Sequence, residues 1–272
     1  MEPGFAPSEI DTSRPHPARM YDYYLGGKDN YVVDREAAAA VLQAVPEVRD
    51  MARENRAFMQ RAVRYLVGEA GIRQIIDIGT GIPAAGNVHE VARQIEPGAR
   101  VAYVDNDPIV HVHASALLTG QGSTSIVLAD LRDPQAILGH PKVRDLIDLA
   151  EPTALLLVAI LHFITDEEGP AGIVAAFRDA LAPGSYLALS HGTADFHDQN
   201  LADAGTAVYS RATAPLVLRG RAQVAGLFKG WDLVEPGVVQ VPLWRPDGKP
   251  PRPRQLAKIG IFGGVARKHA DT

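Results

Sequence analysis

The chain has 272 residues and a mass of 29.2 kDa, a length typical of one large α/β domain. Its formal net charge of -5 gives no electrostatic reason to expect nucleic acid or an anionic membrane as a partner. It contains no cysteine, which excludes disulfides, thiolate metal sites and cysteine nucleophiles.

The start of the chain is polar and rich in proline, and it has no signal-peptide pattern. The longest apolar run, Ala154 to Ile164, is much shorter than the roughly 20 residues that a membrane-spanning helix needs. We therefore expect a cytoplasmic protein with a small-molecule substrate and no nucleic-acid or membrane partner. The sequence does not indicate an oligomeric state.

Three helices are predicted before the first strand. The stretch "PARMYDYYLGG" indicates a short helix that ends at Gly26 and Gly27, and further helices are predicted over 34–45 and 48–67. Because these elements precede the sheet, we expect residues 1–71 to form an N-terminal arm and a helical lid. Residues 72–272 would then form the core of one compact domain.

From residue 72 onward, short apolar runs alternate with helical patterns, which is typical of βαβ units and a parallel sheet. Asp107 and Asp133, each followed by proline, mark the starts of two of the helices. A mostly helical stretch covers 192–228. The predicted strands are 73–78, 100–105, 125–129, 153–159 and 184–190, with two more candidates in 230–244 and 257–268.

The first strand runs into a glycine turn, "IIDIGTGIP", at residues 75–83. A dinucleotide-binding loop would need a third small residue where Pro83 stands, and its pyrophosphate would lie close to Asp77. An acid inside the turn suits a ligand with an ammonium or sulfonium group better. The turn therefore favours a different cofactor from NAD.

Two more acids follow the next two strands. Asp105 ends "VAYVDNDP" and can accept hydrogen bonds from both hydroxyls of a ribose, while Asp130 in "IVLADLRD" can accept from an adenine amine. Leu131 is available to pack on the adenine ring. In a parallel sheet these strand ends meet at one edge, so the three acids predict an adenosyl ligand with an amino-acid tail.

The motifs "DIGTG", "VDNDP" and "ADLRD" resemble those of the class I S-adenosylmethionine-dependent methyltransferases. "ILHFI", after the fourth strand, resembles a motif of their small-molecule branch. "ARMYDYYLGGKDNYVVDREA" together with "DIGTGIP" resembles a bacterial, actinobacterial-type family of predicted S-adenosyl methyltransferases, formerly catalogued as a domain of unknown function. The resemblance covers nearly the whole chain.

This resemblance implies a Rossmann-like α/β fold with a seven-stranded mixed sheet, whose last strand runs antiparallel between the fifth and sixth. It also implies S-adenosyl-L-methionine as the cofactor. Asp77 would act through the turn or on the cofactor's amino group. Asn106 is also expected in the cofactor site, and the alternative interpretation is that it only stabilises the turn. The other implied contacts are Gly79, Thr80 and Gly81 to the methionine moiety, Asp105 to the ribose, and Asp130 with Leu131 to the adenine.

The lid sequence "MYDYYLGGKDNY" supplies further candidate cofactor contacts. Tyr21 could place an aromatic face near the sulfonium, and Lys28 or Asn30 could approach the carboxylate tail. In the alternative interpretation, the tyrosines only pack the helix against the domain.

His162 and His191 follow the fourth and fifth strands and are the candidate general bases. His162 lies in an apolar run, which is also typical of a packed histidine. No metal is expected. The predicted function is transfer of a methyl group to an unidentified small molecule. The alternatives are a catalytically silent S-adenosylmethionine-binding protein and an NAD-dependent oxidoreductase, the latter disfavoured by Asp77 and Pro83.

Overall fold

The computed structural model describes residues 11–118, 122–249 and 251–269. The five strands predicted to alternate with helices all form, each within two residues of its predicted bounds. The strands are β1 Gln74–Ile78, β2 Arg100–Asp105, β3 Thr124–Leu128, β4 Ala154–Val158, β5 Tyr186–Gly192, β6 Trp231–Leu233, β7 Val239–Gln240 and β8 Ile261–Lys268.

All the strands belong to one sheet in the order β3-β2-β1-β4-β5-β8-β6, with β7 also paired to β8. Strands β1 to β5 are parallel, and β8 is antiparallel to both β5 and β6. The predicted Rossmann-like sheet, with an antiparallel last strand between the fifth and sixth, is confirmed.

The number of strands differs from the predicted seven because the candidate strand over 230–244 is divided. Its two parts, β6 and β7, both pair with β8. Pro236 lies between them and has no N–H to donate to the ladder, and the neighbouring Gly237 has a φ of 81°. The β6 and β7 pairings are therefore separated by a short turn.

Among the described residues, six helices begin with proline, whose fixed φ suits the first helical position. The predicted capping roles of Asp107 and Asp133 are confirmed, because their carboxylates accept from the N–H groups of Ile109 and Ala136. The helices are α1 Pro17–Leu25, α2 Val32–Ala44, α3 Val48–Gly68, α4 Val88–Arg93, α5 Pro108–Leu118, α6 Pro134–Gly139, α7 Pro141–Arg144, α8 Pro170–Ala180, α9 Gln199–Tyr209, α10 Arg221–Gly226 and α11 Pro253–Leu256. None of the helices in the described residues is long and apolar enough to cross a membrane.

The sheet is covered by apolar side chains on both faces. Ile137 of α6 and Phe177 of α8 belong to one buried cluster, and Phe58 of α3 belongs to the other. A third cluster joins α1, α2 and α9. Since α3 packs on the sheet itself, α1 and α2 are the described N-terminal helices that occupy the position of a lid. Residues 1–10 of the predicted arm lie outside the described residues, and the division at residue 71 stays a prediction.

Candidate functional site

A cavity of about 480 Å³ lies at the carboxyl ends of β1 to β5, under α1, α2 and α9. This is the edge at which open parallel sheets bind their ligands, and the volume is in the range of about 300–1,000 Å³ that is usual for small-molecule sites. The predicted residues that line it are Tyr21, Asp77, Gly79, Thr80, Gly81, Asp105, Asn106, Asp130, Leu131 and His162.

The turn after β1 needs glycine at two positions for different reasons. Gly79 has a φ of 73° and Gly81 a φ of 67°, in the left-handed region that side chains disfavour. A Cβ on Gly79 would lie only 2.6 Å from Cγ1 of Ile160. A Cβ on Gly81 would meet nothing within 4 Å among the described atoms. Gly79 therefore permits close packing, and Gly81 leaves room beside the cavity.

Pro83 lies in an irregular loop, residues 82–87, that separates the glycine turn from α4. Arg56 of α3 holds this loop, donating from Nη2 to the carbonyl oxygens of Ala84 at 2.7 Å and Ala85 at 3.1 Å. Pro83, which has no backbone N–H, therefore does not stand at the start of a helix, where a phosphate-binding loop would need an N–H group. Arg56 also lines the cavity, and the sequence reasoning missed it.

Asp77, at the end of β1, is a buried acid without a basic ion-pair partner within the described parts of the chain. Burial raises its pKa to about 7, although a hydrogen bond from Thr80 and the charge of Arg56 act in the opposite direction. A cationic group placed beside this carboxyl would favour its ionised form and lower its pKa. The site therefore suits a ligand with a positive charge at this point.

Asp105 connects the turn after β1 to the end of β2. Its Oδ2 accepts from the N–H of Gly81 at 2.8 Å, and its Oδ1 accepts from the N–H of Asp107 at 2.9 Å. Burial raises the pKa of Asp105 to about 6. A carboxylate has about four acceptor positions, so these contacts leave acceptor capacity for a hydroxyl group of a ligand.

Asp130, after β3, already has several partners. Its carboxylate accepts from the N–H of Arg132 at 2.9 Å and pairs with that residue's guanidinium at 3.1 Å. Burial opposes ionisation, but the Arg132 contacts and a hydrogen bond from Asn106 lower the pKa of Asp130. Leu131, beside it, is buried and lines the cavity.

Of the three lid residues predicted to contact the cofactor, only Tyr21 lines the cavity. Its hydroxyl donates to the carbonyl oxygen of Ala52 at 3.0 Å. Lys28 is exposed and away from the cavity lining. Asn30 donates to Asp22 at 2.7 Å, so its side chain serves the internal packing of the lid.

His162 lines the cavity, and its Nδ1 accepts from the backbone N–H of Gly192 at 3.2 Å. Burial, together with the neighbouring His191 and Arg219, holds the pKa of His162 well below its ordinary value. Because Nδ1 is an acceptor, the neutral ring carries its proton on Nε2. In this arrangement His162 is a hydrogen-bond donor towards a ligand.

His191 is fully buried and does not line the cavity. Its Nδ1 lies 2.7 Å from the carbonyl oxygen of Gly192, and its Nε2 lies 2.9 Å from a guanidinium nitrogen of Arg219. Burial lowers its pKa to about 4. Both ring nitrogens therefore contact groups inside the protein. Because His191 does not line the cavity, its predicted role as a base has no support from the geometry.

Arg219, which the sequence reasoning also missed, fixes the segment after β4. Its buried guanidinium donates to the carbonyl oxygens of Leu161 at 3.1 Å and Ile164 at 2.9 Å, and it pairs with Asp166 at 2.6 Å. It thereby holds the motif that carries His162 against the end of β5. No pattern in the sequence distinguishes it from other arginines.

A buried ion pair joins the lid to the sheet edge. Arg19 of α1 donates from Nε to Asp107 at 3.1 Å, and its Nη1 lies 3.6 Å from Asp34 of α2. His16 lies 3.2 Å from the same carboxylate of Asp107. Since Asp107 caps α5 directly after the Asp105 turn, the lid is attached next to the predicted ribose site.

The comparisons with known proteins agree with this geometry. The model of a family described as S-adenosyl methyltransferase matches residues 3–269 of the chain. A DUF574 family protein from Streptomyces avermitilis is 46% identical, with a TM-score of 0.91 over 95% of this chain and 99% of that one. A candidate methyltransferase from Thermobifida fusca is 40% identical, with a TM-score of 0.90 over 98% of this chain and 99% of that one.

More distant similarity shows the fold alone. The N-methyltransferase NodS from Bradyrhizobium japonicum, solved in complex with S-adenosyl-L-homocysteine, is 15% identical, with a TM-score of 0.52 over 92% of this chain and 98% of that one. No curated protein sequence gives a significant match. The similarity therefore establishes a family and a fold, and it leaves the methyl acceptor unidentified.

Proposed function

The chain belongs to the S-adenosyl methyltransferase family, and from that premise we propose that it methylates a small molecule bound in the cavity above the sheet. The observation that supports this most strongly is that one cavity is lined by the glycine turn, by Asp105 and by Asp77, a buried acid without a basic ion-pair partner among the described residues. The same cavity continues away from the strand ends, under α2 and α9, where an acceptor would bind.

The cofactor would bind along the carboxyl ends of β1 to β3. Asp77 faces its ammonium group, Asp105 takes the ribose hydroxyls, and Leu131 packs on the adenine. Nη1 of Arg56 has no hydrogen-bond partner among the described residues, and Arg56 lines the cavity. Because a guanidinium binds carboxylates well, Arg56 replaces Lys28 and Asn30 in this proposal as the group that holds the methionine carboxylate.

S-adenosylmethionine supplies an electrophilic methyl group, whose bond to sulfur breaks as the bond to the acceptor's nucleophile forms. The chain positions the cofactor and the acceptor in one cavity, and positioning of this kind accounts for much of the rate in such transfers. Neither His162 nor His191 has a pKa suited to a base near neutral pH. The proposal therefore assigns His162 as a donor that orients the acceptor, and any proton on the nucleophile leaves to solvent.

Binding of S-adenosylhomocysteine will release protons near neutral pH. With a pKa raised to about 7, Asp77 is partly protonated near neutral pH, and an ammonium beside it lowers that pKa. Calorimetry at pH 6, 7 and 8 in buffers of different ionisation enthalpy should show more protons released by the wild type than by Asp77→Asn. Affinity should rise with pH through this range, because only the ionised carboxyl attracts the ammonium.

The control for this experiment is adenosine, which has the ribose and adenine but no ammonium. Its binding should release the same number of protons from the wild type and from Asp77→Asn. A wild-type protein that releases no additional protons with S-adenosylhomocysteine would show that Asp77 does not meet the ammonium.

Turnover separates the enzyme from a silent cofactor-binding protein. The protein is incubated with S-adenosylmethionine and a library of small acceptors, and the S-adenosylhomocysteine produced is measured by mass spectrometry. We expect product that depends on the acceptor. Tight binding of S-adenosylhomocysteine with no turnover across a broad library would favour the silent protein, and tight binding of NAD with none of S-adenosylhomocysteine would favour an oxidoreductase.

A further inference from the structure

The part of the cavity farthest from the strand ends contains no charged lining side chain among the described residues. The side chains that α2, α9 and residues 210–218 contribute to it are all uncharged, for example Val41, Thr206 and Leu216. The charged lining residues lie instead on the strand ends, α1, α3 and the segment before α1, which contributes Asp11. Because a buried charge without a partner is strongly unfavourable, this region disfavours a carboxylate or an ammonium on the acceptor.

Four aromatic rings form a cavity wall that extends from the segment after β4 to α1 and α9: those of Tyr24, His162, Phe163 and Tyr209. The ring of Phe163 lies 4.4 Å from that of His162, edge to face, and 5.8 Å from that of Tyr209. Aromatic pairs favour edge-to-face and offset contacts at these separations, so a further ring can extend the array. The shape and chemistry of the wall therefore favour a flat aromatic ligand.

The tyrosine pair and His162 each offer the cavity a hydrogen-bond donor for which the described parts of the chain show no acceptor. The hydroxyls of Tyr24 and Tyr209 lie 3.2 Å apart, and this single bond uses one of their two protons. The Nε2–H of His162 is the second donor. Burial raises the pKa of both tyrosines, that of Tyr209 to about 12, so neither hydroxyl ionises near neutral pH. A ligand oxygen can accept a hydrogen bond from a donor of this kind.

Within the proposed methyltransferase function, on which this step rests, we infer that the acceptor is an uncharged aromatic molecule carrying a hydroxyl or carbonyl oxygen on its ring. The aromatic wall binds the ring, the uncharged side chains of α2, α9 and residues 210–218 disfavour ionised analogues, and the tyrosine pair and His162 offer donors to the oxygen.

The test uses four probes with the same naphthalene skeleton. Calorimetry at pH 7.5, on protein saturated with S-adenosylhomocysteine, compares 2-naphthol, naphthalene, 2-naphthoate and 2-naphthylmethylammonium. We expect 2-naphthol to bind at least tenfold more tightly than either charged probe, and more tightly than naphthalene. Equal or tighter binding of a charged probe would overturn the inference.

A double variant, Tyr24→Phe with Tyr209→Phe, removes both hydroxyls and keeps both rings. Its affinity for 2-naphthol should fall at least fivefold, while its affinity for naphthalene should not change. Tyr65→Phe, on α3 and outside the cavity lining, is the matched control and should affect neither probe. If the double variant does not fold, the order of the four probes on the wild type still decides the question.

The titration with S-adenosylhomocysteine is done first, so that a failure of the proposed function can be distinguished from a failure of the inference about the acceptor. If this ligand does not bind, the proposed function is contradicted. If it binds but the charged probes are preferred, only the inference about the acceptor is contradicted.

Discussion

Replacing Asp105 with alanine will weaken the binding of S-adenosylhomocysteine by about 10- to 100-fold, or roughly 1.4 to 2.8 kcal/mol. The ribose hydroxyls lose a charged acceptor, which accounts for the lower part of this range. The turn also loses its attachment, because Oδ2 of Asp105 holds the N–H of Gly81 at 2.8 Å. Calorimetry on the purified variant measures the change directly.

Asp133→Ala is the matched control for this variant. Asp133 also follows the end of a strand and begins a helix, but it is exposed and does not line the cavity. Its loss should lower stability by about 1 kcal/mol through the missing cap and leave ligand affinity unchanged. An Asp105→Ala protein that binds as tightly as the wild type would reject the ribose role.

The two glycines of the turn should respond differently to alanine. Gly79→Ala should destabilise the protein by roughly 2 to 5 kcal/mol, because it adds a left-handed alanine and a contact of 2.6 Å with Ile160. Gly81→Ala has only the backbone strain, roughly 1 to 2 kcal/mol. Since Gly81 lines the cavity, its methyl group should instead lower the affinity for S-adenosylhomocysteine at least tenfold.

Denaturant unfolding and calorimetry on both variants give the two quantities. Gly26→Ala is a control with the same left-handed strain, at φ 85° and without a neighbour within 4 Å, at the end of α1. It should lose stability as Gly81→Ala does and keep its affinity. Equal stability losses for Gly79→Ala and Gly81→Ala would show that the contact with Ile160 does not add to the loss of stability.

The sheet could be predicted from the sequence because its signals are local. The central strands are short apolar runs, and aspartate followed by proline marks the helix starts that bound them. Asp105 could be placed at the sheet edge because its position in the motif and the direction of parallel strands determine it. The division of 230–244 into β6 and β7 was not predicted, although Pro236 carried a signal for it.

Arg56 and Arg219 could not be predicted because their partners are mostly backbone carbonyls distant in sequence. Arg56 holds a loop 28 residues away, and Arg219 holds one 55 to 58 residues away. A carbonyl oxygen is the same for every residue type, so these contacts leave no pattern in the sequence. Lys28 and Asn30 were placed near the cofactor on composition alone, which does not determine where the chain turns after α1.

The position of Pro83 is explained by the loop that follows the glycine turn. As a substitute for a third glycine it has no function, since it lacks an N–H. In the structure, α4 begins five residues later, at Val88, and the intervening loop is held by Arg56. The motif therefore belongs to a turn that leads to a loop before the helix.

The central claim is that the cofactor lies across the ends of β1 to β3, with its ribose on Asp105 and its ammonium at Asp77. A crystal structure of the complex with S-adenosylhomocysteine tests this most directly. We expect ribose hydroxyls within about 3 Å of the Asp105 carboxylate and the amino group beside Asp77. A ligand bound outside this cavity, or inside it with the ribose away from Asp105, would contradict the account.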